Sequence, residues 1–168
     1  MKNTNSKGNI IVYSPTENKL SFTHLQGSKM SSTDLLFVYG TLKKGFQNQF
    51  AVELSAHAIF EGTGNFPGEL YLCDWFPAAI SLPESPFRVH GEIYKLKDLK
   101  RMLALLDDYE EITDNPASSL YVRQIIQVQN HENRQVSCYV YIYNQSISNL
   151  PRIYEGNFIK QESDSEEK

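Results

Sequence analysis

The chain predicts an α+β fold: a small mixed, mostly antiparallel, barrel-like sheet of five to six strands with one main helix. Three observations carry this. Apolar runs with a period of two outnumber helical stripes, tight turns rather than regular βαβ alternation join them, and only one segment has a strong helical period. A length of 168 residues at 40% apolar composition suits a single core.

Taken in order, residues 1–33 are rich in Asn, Ser, Lys and Thr and read as a partly mobile extension, with one apolar patch, Ile10 to Tyr13, able to add a strand. The main domain spans 34–160. Leu35 to Tyr39 is its first buried strand, and a second, weaker helix fits around Phe46 to Leu54. Gly68 to Cys73 and Trp75 to Ile80 follow as strands, with glycines and prolines read as breaks. From Phe87 to Leu96 the period is two: Phe87, Val89, Gly91 and Ile93 share a face, and Glu92 lies on the other, which reads as structural. Asp98 is an N-cap candidate for the main helix, whose stripe is Leu99, Met102, Leu103 and Leu106. Tyr121 to Val128 and Val136 to Tyr143 form a hairpin across the polar turn Asn130 to Arg134. After Pro151 the chain is expected to wrap over the surface, and 161–168 reads as an acidic disordered tail.

The totals narrow the function. Sixteen basic residues stand against 20 acidic, a net charge of −4, so nothing suggests a surface built for nucleic acid. No run of 18 apolar residues marks a membrane span, and the amino terminus lacks the apolar run of a signal peptide, which points to the cytoplasm. There Cys73 and Cys138, far apart, are expected as thiols. His24, His57, His90 and His131 are scattered without metal-ligand spacing, so no metal site is expected. No Ser/His/Asp or Cys/His arrangement suggests a nucleophilic hydrolase. No pattern sets an oligomeric state.

Two places carry chemistry. Tyr39-Gly40-Thr41-Leu42 follows the first strand directly, bringing backbone N–H groups and a hydroxyl to the edge of the core, a place to hold a small anion. Glycine there would let a ligand approach the backbone and let the turn adopt dihedrals that other residues avoid. Alone, the same four residues fit any β-turn, and Lys43 and Lys44 read as surface charge. The second place is Asp107, Asp108, Glu110 and Glu111 at the carboxyl end of the main helix, where the backbone dipole disfavours anions. The helix end, the neighbouring carboxylates and partial burial would each raise a carboxyl pKa towards neutrality, as general acid–base catalysis requires. A merely solvated acidic cluster is the alternative.

Together, Phe37 to Gly45, Val89 to Tyr94, Leu105 to Glu110, Tyr121 to Arg123 and Cys138 to Tyr141 resemble the gamma-glutamylcyclotransferase family, most closely its gamma-glutamylamine cyclotransferase-like branch. The resemblance implies a small mixed barrel and a pocket for a small-molecule gamma-glutamyl substrate. Carried over, Tyr39, Gly40, Thr41, Leu42 and Tyr121 would bind substrate, Tyr121 and Tyr141 are open between lining the pocket and packing in the core, and Glu110 would be the general acid/base, with Glu111 its nearest rival. Arg123 is open between a substrate carboxylate and a structural ion pair. The implied reaction needs no cofactor: the substrate's α-amine attacks its own γ-carbonyl, releasing 5-oxoproline and an amine or amino acid. The amino-terminal extension and Asp74 to Ile80 depart from the family pattern, and the latter is where contacts to the departing group are expected. Rival readings are a non-catalytic metabolite-binding module using the same pocket and an interaction domain acting through its ends.

Overall fold

The computed structural model describes residues 33–159 together with the short strands at residues 3–4 and 10–11. The chain divides into two compact units, Met1–Ser32 and Thr33–Lys168. In the first, β1 (Asn3–Thr4) pairs antiparallel with β2 (Ile10–Ile11), so the apolar patch does begin as a strand. Val12, Tyr13, His24 and the tail from Gln161 lie outside the described residues, as does the expected mobility of both ends.

The second unit runs β3 (Leu35–Val38), α1 (Gln49–His57), β4 (Ala58–Cys73), β5 (Phe76–Ser81), β6 (Arg88–Leu96), α2 (Leu99–Tyr109), β7 (Tyr121–Asn130) and β8 (Gln135–Tyr143). The strands lie in the order β5-β4-β6-β3-β8-β7, and β7 pairs back onto β4. Five strands therefore close into a barrel, with β5 hydrogen-bonded outside it, and within this sheet only the β3–β8 pairing is parallel.

One expectation needs correction. The strand read as Gly68 to Cys73 begins at Ala58 and is 16 residues long. Its glycines are not breaks but the seam of the barrel. Gly62 takes φ 118° at the register shift opposite Tyr94 and Ile93, where one extra residue bends the strand. A Cβ on Gly64 would lie 2.9 Å from both the Gln129 carbonyl oxygen and Val128 Cγ1, so only glycine lets β4 and β7 approach closely enough to pair. The helix expected near Phe46 to Leu54 lies slightly later, because Asn48 caps it by accepting from the N–H groups of Phe50 and Ala51. Trp75 belongs to the β4–β5 turn rather than to a strand, and Phe87 precedes β6 at the surface.

Strand alternation sorts the apolar residues into two cores. Phe37, Phe66, Val89, Ile93, Val128 and Val140 fill the barrel. The alternate residues Leu36, Val38, Tyr94 and Tyr141 pack outside it against Leu54 of α1 and Met102, Leu103 and Leu106 of α2. Asp98 caps α2 by accepting from Arg101 N–H at 3.1 Å, as its position predicts. Beyond Pro151 the chain runs back along β4, with Leu72 N–H on Pro151 O at 2.9 Å and Ile153 N–H on Leu70 O at 2.8 Å.

Candidate active site

A cavity of about 310 Å³ opens where β3 ends, bounded by the loop that follows it, the carboxyl end of α2, the β4–β5 turn and the start of β7. Both chemistry-bearing segments of the sequence meet there. Tyr39, Gly40, Thr41, Leu42, Glu110, Glu111, Tyr121 and Tyr141 all border it, together with Trp75, Phe76, Pro77 and Tyr109.

Several of these side chains are already engaged. Tyr39 donates its hydroxyl to Tyr141 O at 2.7 Å, and Tyr121 donates to Pro77 O at 2.8 Å, which ties the β5 wall to β7. Thr41 Oγ1 and the Tyr109 hydroxyl share a hydrogen bond at 2.9 Å, and the Tyr109 ring lies 4.1 Å from that of Phe50 on α1. Asn48 Nδ2 donates to Thr41 O at 2.7 Å, so the residue that caps α1 also holds the loop. Glu92, read as structural, accepts from Lys44 N–H at 2.7 Å and from the Tyr94 hydroxyl at 2.8 Å and anchors the far side of the same loop. Lys43, read as surface charge, instead donates to Asn157 Oδ1 at 2.8 Å and Phe158 O at 2.6 Å.

By contrast, the backbone N–H groups of Gly40, Thr41 and Leu42 have no hydrogen-bond acceptor among the described residues. Three successive unspent donors at a cavity wall suit an anion. Glycine is required here for a different reason from the expected one. Gly40 does not adopt a left-handed φ, but a Cβ on it would lie 2.6 Å from Pro77 Cγ, so the proline of β5 occupies the space.

Glu110 caps the carboxyl end of α2, and its pKa is raised to about 8. Burial is the cause, not the neighbouring carboxylates expected from the sequence. Those neighbours are dealt with separately. Asp107 is held by Arg123 Nη1 at 2.5 and 2.6 Å and by the Tyr141 hydroxyl at 2.9 Å, which decides Arg123 as a structural ion pair. Asp108 and Glu111 are exposed. This clamp on Asp107 fixes the end of α2 against β7 and β8 and so sets where Glu110 stands.

The residues matched by the family model described as "Gamma-glutamyl cyclotransferase, AIG2-like" run from 36 to 160 and include every residue bordering the cavity. The chain belongs to this family. Among individual members, gamma-glutamylaminecyclotransferase of Homo sapiens is 35% identical over 124 residues, 64% of this chain and 76% of its own length. Gamma-glutamylaminecyclotransferase A of Danio rerio is 32% identical over 117 residues, 66% of this chain and 68% of its own length. A solved structure of an AIG2-like protein from Mus musculus superimposes with a TM-score of 0.60 at 31% identity, covering 75% of this chain and 88% of that one. Within this gamma-glutamyl cyclotransferase fold the sequence reading passed over Tyr109 and Leu120 as cavity residues, whereas Trp75, Phe76 and Pro77 fall in the Asp74 to Ile80 segment where contacts to the departing group were expected. Tyr109 was legible as the residue preceding Glu110 in its motif, whereas Leu120 precedes β7 without any local signal. No helix among the described residues is long and apolar enough to cross a membrane.

Proposed function

We propose that this protein cyclises a gamma-glutamyl group by intramolecular attack of its α-amine, releasing 5-oxoproline and an amine, with Glu110 as general acid/base. The observation that carries this reading is a carboxyl group held near a pKa of about 8 by burial, in the same cavity as three unspent backbone N–H donors. A base poised near the working pH is what proton transfer from an ammonium needs.

In this reading the N–H groups of Gly40, Thr41 and Leu42 hold substrate negative charge, on the α-carboxylate or on the oxyanion that forms as the ring closes. Ionised Glu110 takes a proton from the α-ammonium. The freed amine attacks the γ-carbonyl carbon, a nitrogen–carbon bond forms, and the bond to the departing nitrogen breaks. Two protons leave the α-nitrogen and two reach the departing nitrogen, so one carboxyl group can pass them in turn. The cavity's remaining task is to fold a flexible chain into the geometry of ring closure, where most of the advantage of an intramolecular reaction lies. Cys73 and Cys138, both free thiols, fit a reducing compartment such as the cytoplasm.

Mass-spectrometric detection of 5-oxoproline from gamma-glutamyl amines, amino acids and glutathione, with Glu110→Gln beside the parent protein, tests the reading. Expected is product from at least one class and a loss of several orders of magnitude in the variant. Binding of a substrate analogue with no product from any compound would replace catalysis by the metabolite-binding reading.

A further inference from the structure

Five hydroxyl groups border the cavity, those of Tyr39, Thr41, Tyr109, Tyr121 and Tyr141. Three are spent on oxygens that only accept: Tyr39 donates to Tyr141 O, Tyr121 to Pro77 O and Tyr141 to Asp107 Oδ1. The other two have only each other. Thr41 Oγ1 and the Tyr109 hydroxyl stand 2.9 Å apart, and neither has another partner among the described residues. Two hydroxyls bring two protons and the bond between them uses one, so one O–H is left to donate whichever way that bond runs. Both oxygens are held in place. Asn48 Nδ2 grips Thr41 O, and Tyr109, the last residue of α2, lays its ring on that of Phe50 with centroids 4.1 Å apart. The phenol also keeps its proton: burial, opposed by the bond to Thr41 and aided by the Glu110 carboxylate, pushes its pKa above the ordinary value.

We infer that the Thr41–Tyr109 pair donates this spare O–H to the negative oxygen of the substrate, beside the N–H groups of Gly40, Thr41 and Leu42, and that either residue can supply it. This rests on the cyclotransferase reading and adds a side-chain donor to it. Thr41 is the middle residue of the three whose N–H groups are unspent, and Tyr109 directly precedes Glu110. The pair therefore bridges the anion-holding loop and the carboxyl that handles protons. A hydroxyl hydrogen rotates to suit its surroundings, so the bond between the two can run in either direction, leaving the free proton on the oxygen that faces the charge. Donation from a neutral hydroxyl to an anion is among the stronger hydrogen bonds, and it costs no reorganisation where the oxygens are already fixed.

A double-mutant cycle on kcat/KM separates this donor from a bond that merely ties the loop to α2. The substrate is whichever of the gamma-glutamyl amines, gamma-glutamyl amino acids and glutathione yields 5-oxoproline fastest with the full chain. Thr41→Val and Tyr109→Phe each leave one O–H in place, so each single loss is expected at about fivefold. The double variant has none, and its loss is expected on the order of several hundredfold, well beyond the product of the two. A tie behaves in the opposite way, because either substitution breaks it and the second adds nothing. Thr41→Ser keeps the hydroxyl and should stay near the parent protein, and combined with Tyr109→Phe it should show only the single loss. Chemical denaturation shows whether each variant is folded, and Thr41→Ala replaces Thr41→Val in the cycle if the valine does not fit. A double loss no larger than the product of the single losses overturns the donor while the cyclotransferase reading stands. Absence of 5-oxoproline from every compound with the parent protein overturns that reading and this inference with it.

Discussion

A carboxyl group that burial holds near a pKa of about 8 is mostly protonated in the free protein at neutral pH. In the proposed reaction the ionised form starts catalysis, so kcat/KM should rise with pH up to about 8 and level off above it, a limb that a pH profile would locate. The kcat profile should show its limb lower, because the bound α-ammonium favours the carboxylate. The same burial carries a stability cost whose sign is fixed. The folded pKa lies above the usual 4.5, so the contribution of Glu110 is fully present below about 4.5 and is lost as pH rises through about 8. Glu110→Gln should therefore stabilise the protein at pH 8 to 9 by an amount on the order of a few kcal/mol, read in chemical denaturation, with the gain shrinking towards pH 4.5. A variant that gains stability while losing turnover is hard to explain as a damaged fold.

Helix α2 ends in a turn that glycine would make more easily. Ile112 N–H reaches Asp107 O at 2.9 Å and Glu111 N–H reaches Asp108 O at 3.3 Å, the paired bonds of a Schellman cap, and the left-handed residue is Glu111 at φ 54°. Glu111→Gly should stabilise the protein by about 0.5–1 kcal/mol in denaturant titration, since glycine adopts that φ without strain. Helix α1 is tied to the same loop from the other side. Asn48→Ala removes two cap hydrogen bonds and the donor to Thr41 O, and should cost about 1 kcal/mol of stability while raising KM, as the loop loses its brace.

At the scale of the whole molecule, the cavity exists because the sheet closes. The β4–β7 pairing completes a barrel whose outer face carries both helices, and its seam depends on Gly64. Gly64→Val would place side-chain atoms against Gln129 O and Val128 Cγ1 and should cost about 2–3 kcal/mol in chemical denaturation, the scale of overpacking a filled core. Much of this was legible beforehand. Local periodicity located β3, β6, the β7–β8 hairpin and α2, because a period of two or 3.6 is written in neighbouring residues. The motifs around Tyr39 to Leu42 and Glu110 named the cavity's floor for the same reason. Beyond local pattern lay the first ten residues of β4, whose glycines answer to a strand far along the chain, and Leu120, which borders the cavity with no local signal to place it there. So the sequence by itself determined the element types, the mixed barrel class and the two segments that border the cavity, since each depends on short-range pattern. Only the tertiary structure decided which carboxylate is desolvated, that Arg123 belongs to Asp107, and that Pro77 rather than a ligand requires Gly40. These depend on which distant groups share one small volume, and desolvation and van der Waals contact are properties of that volume rather than of the residues alone.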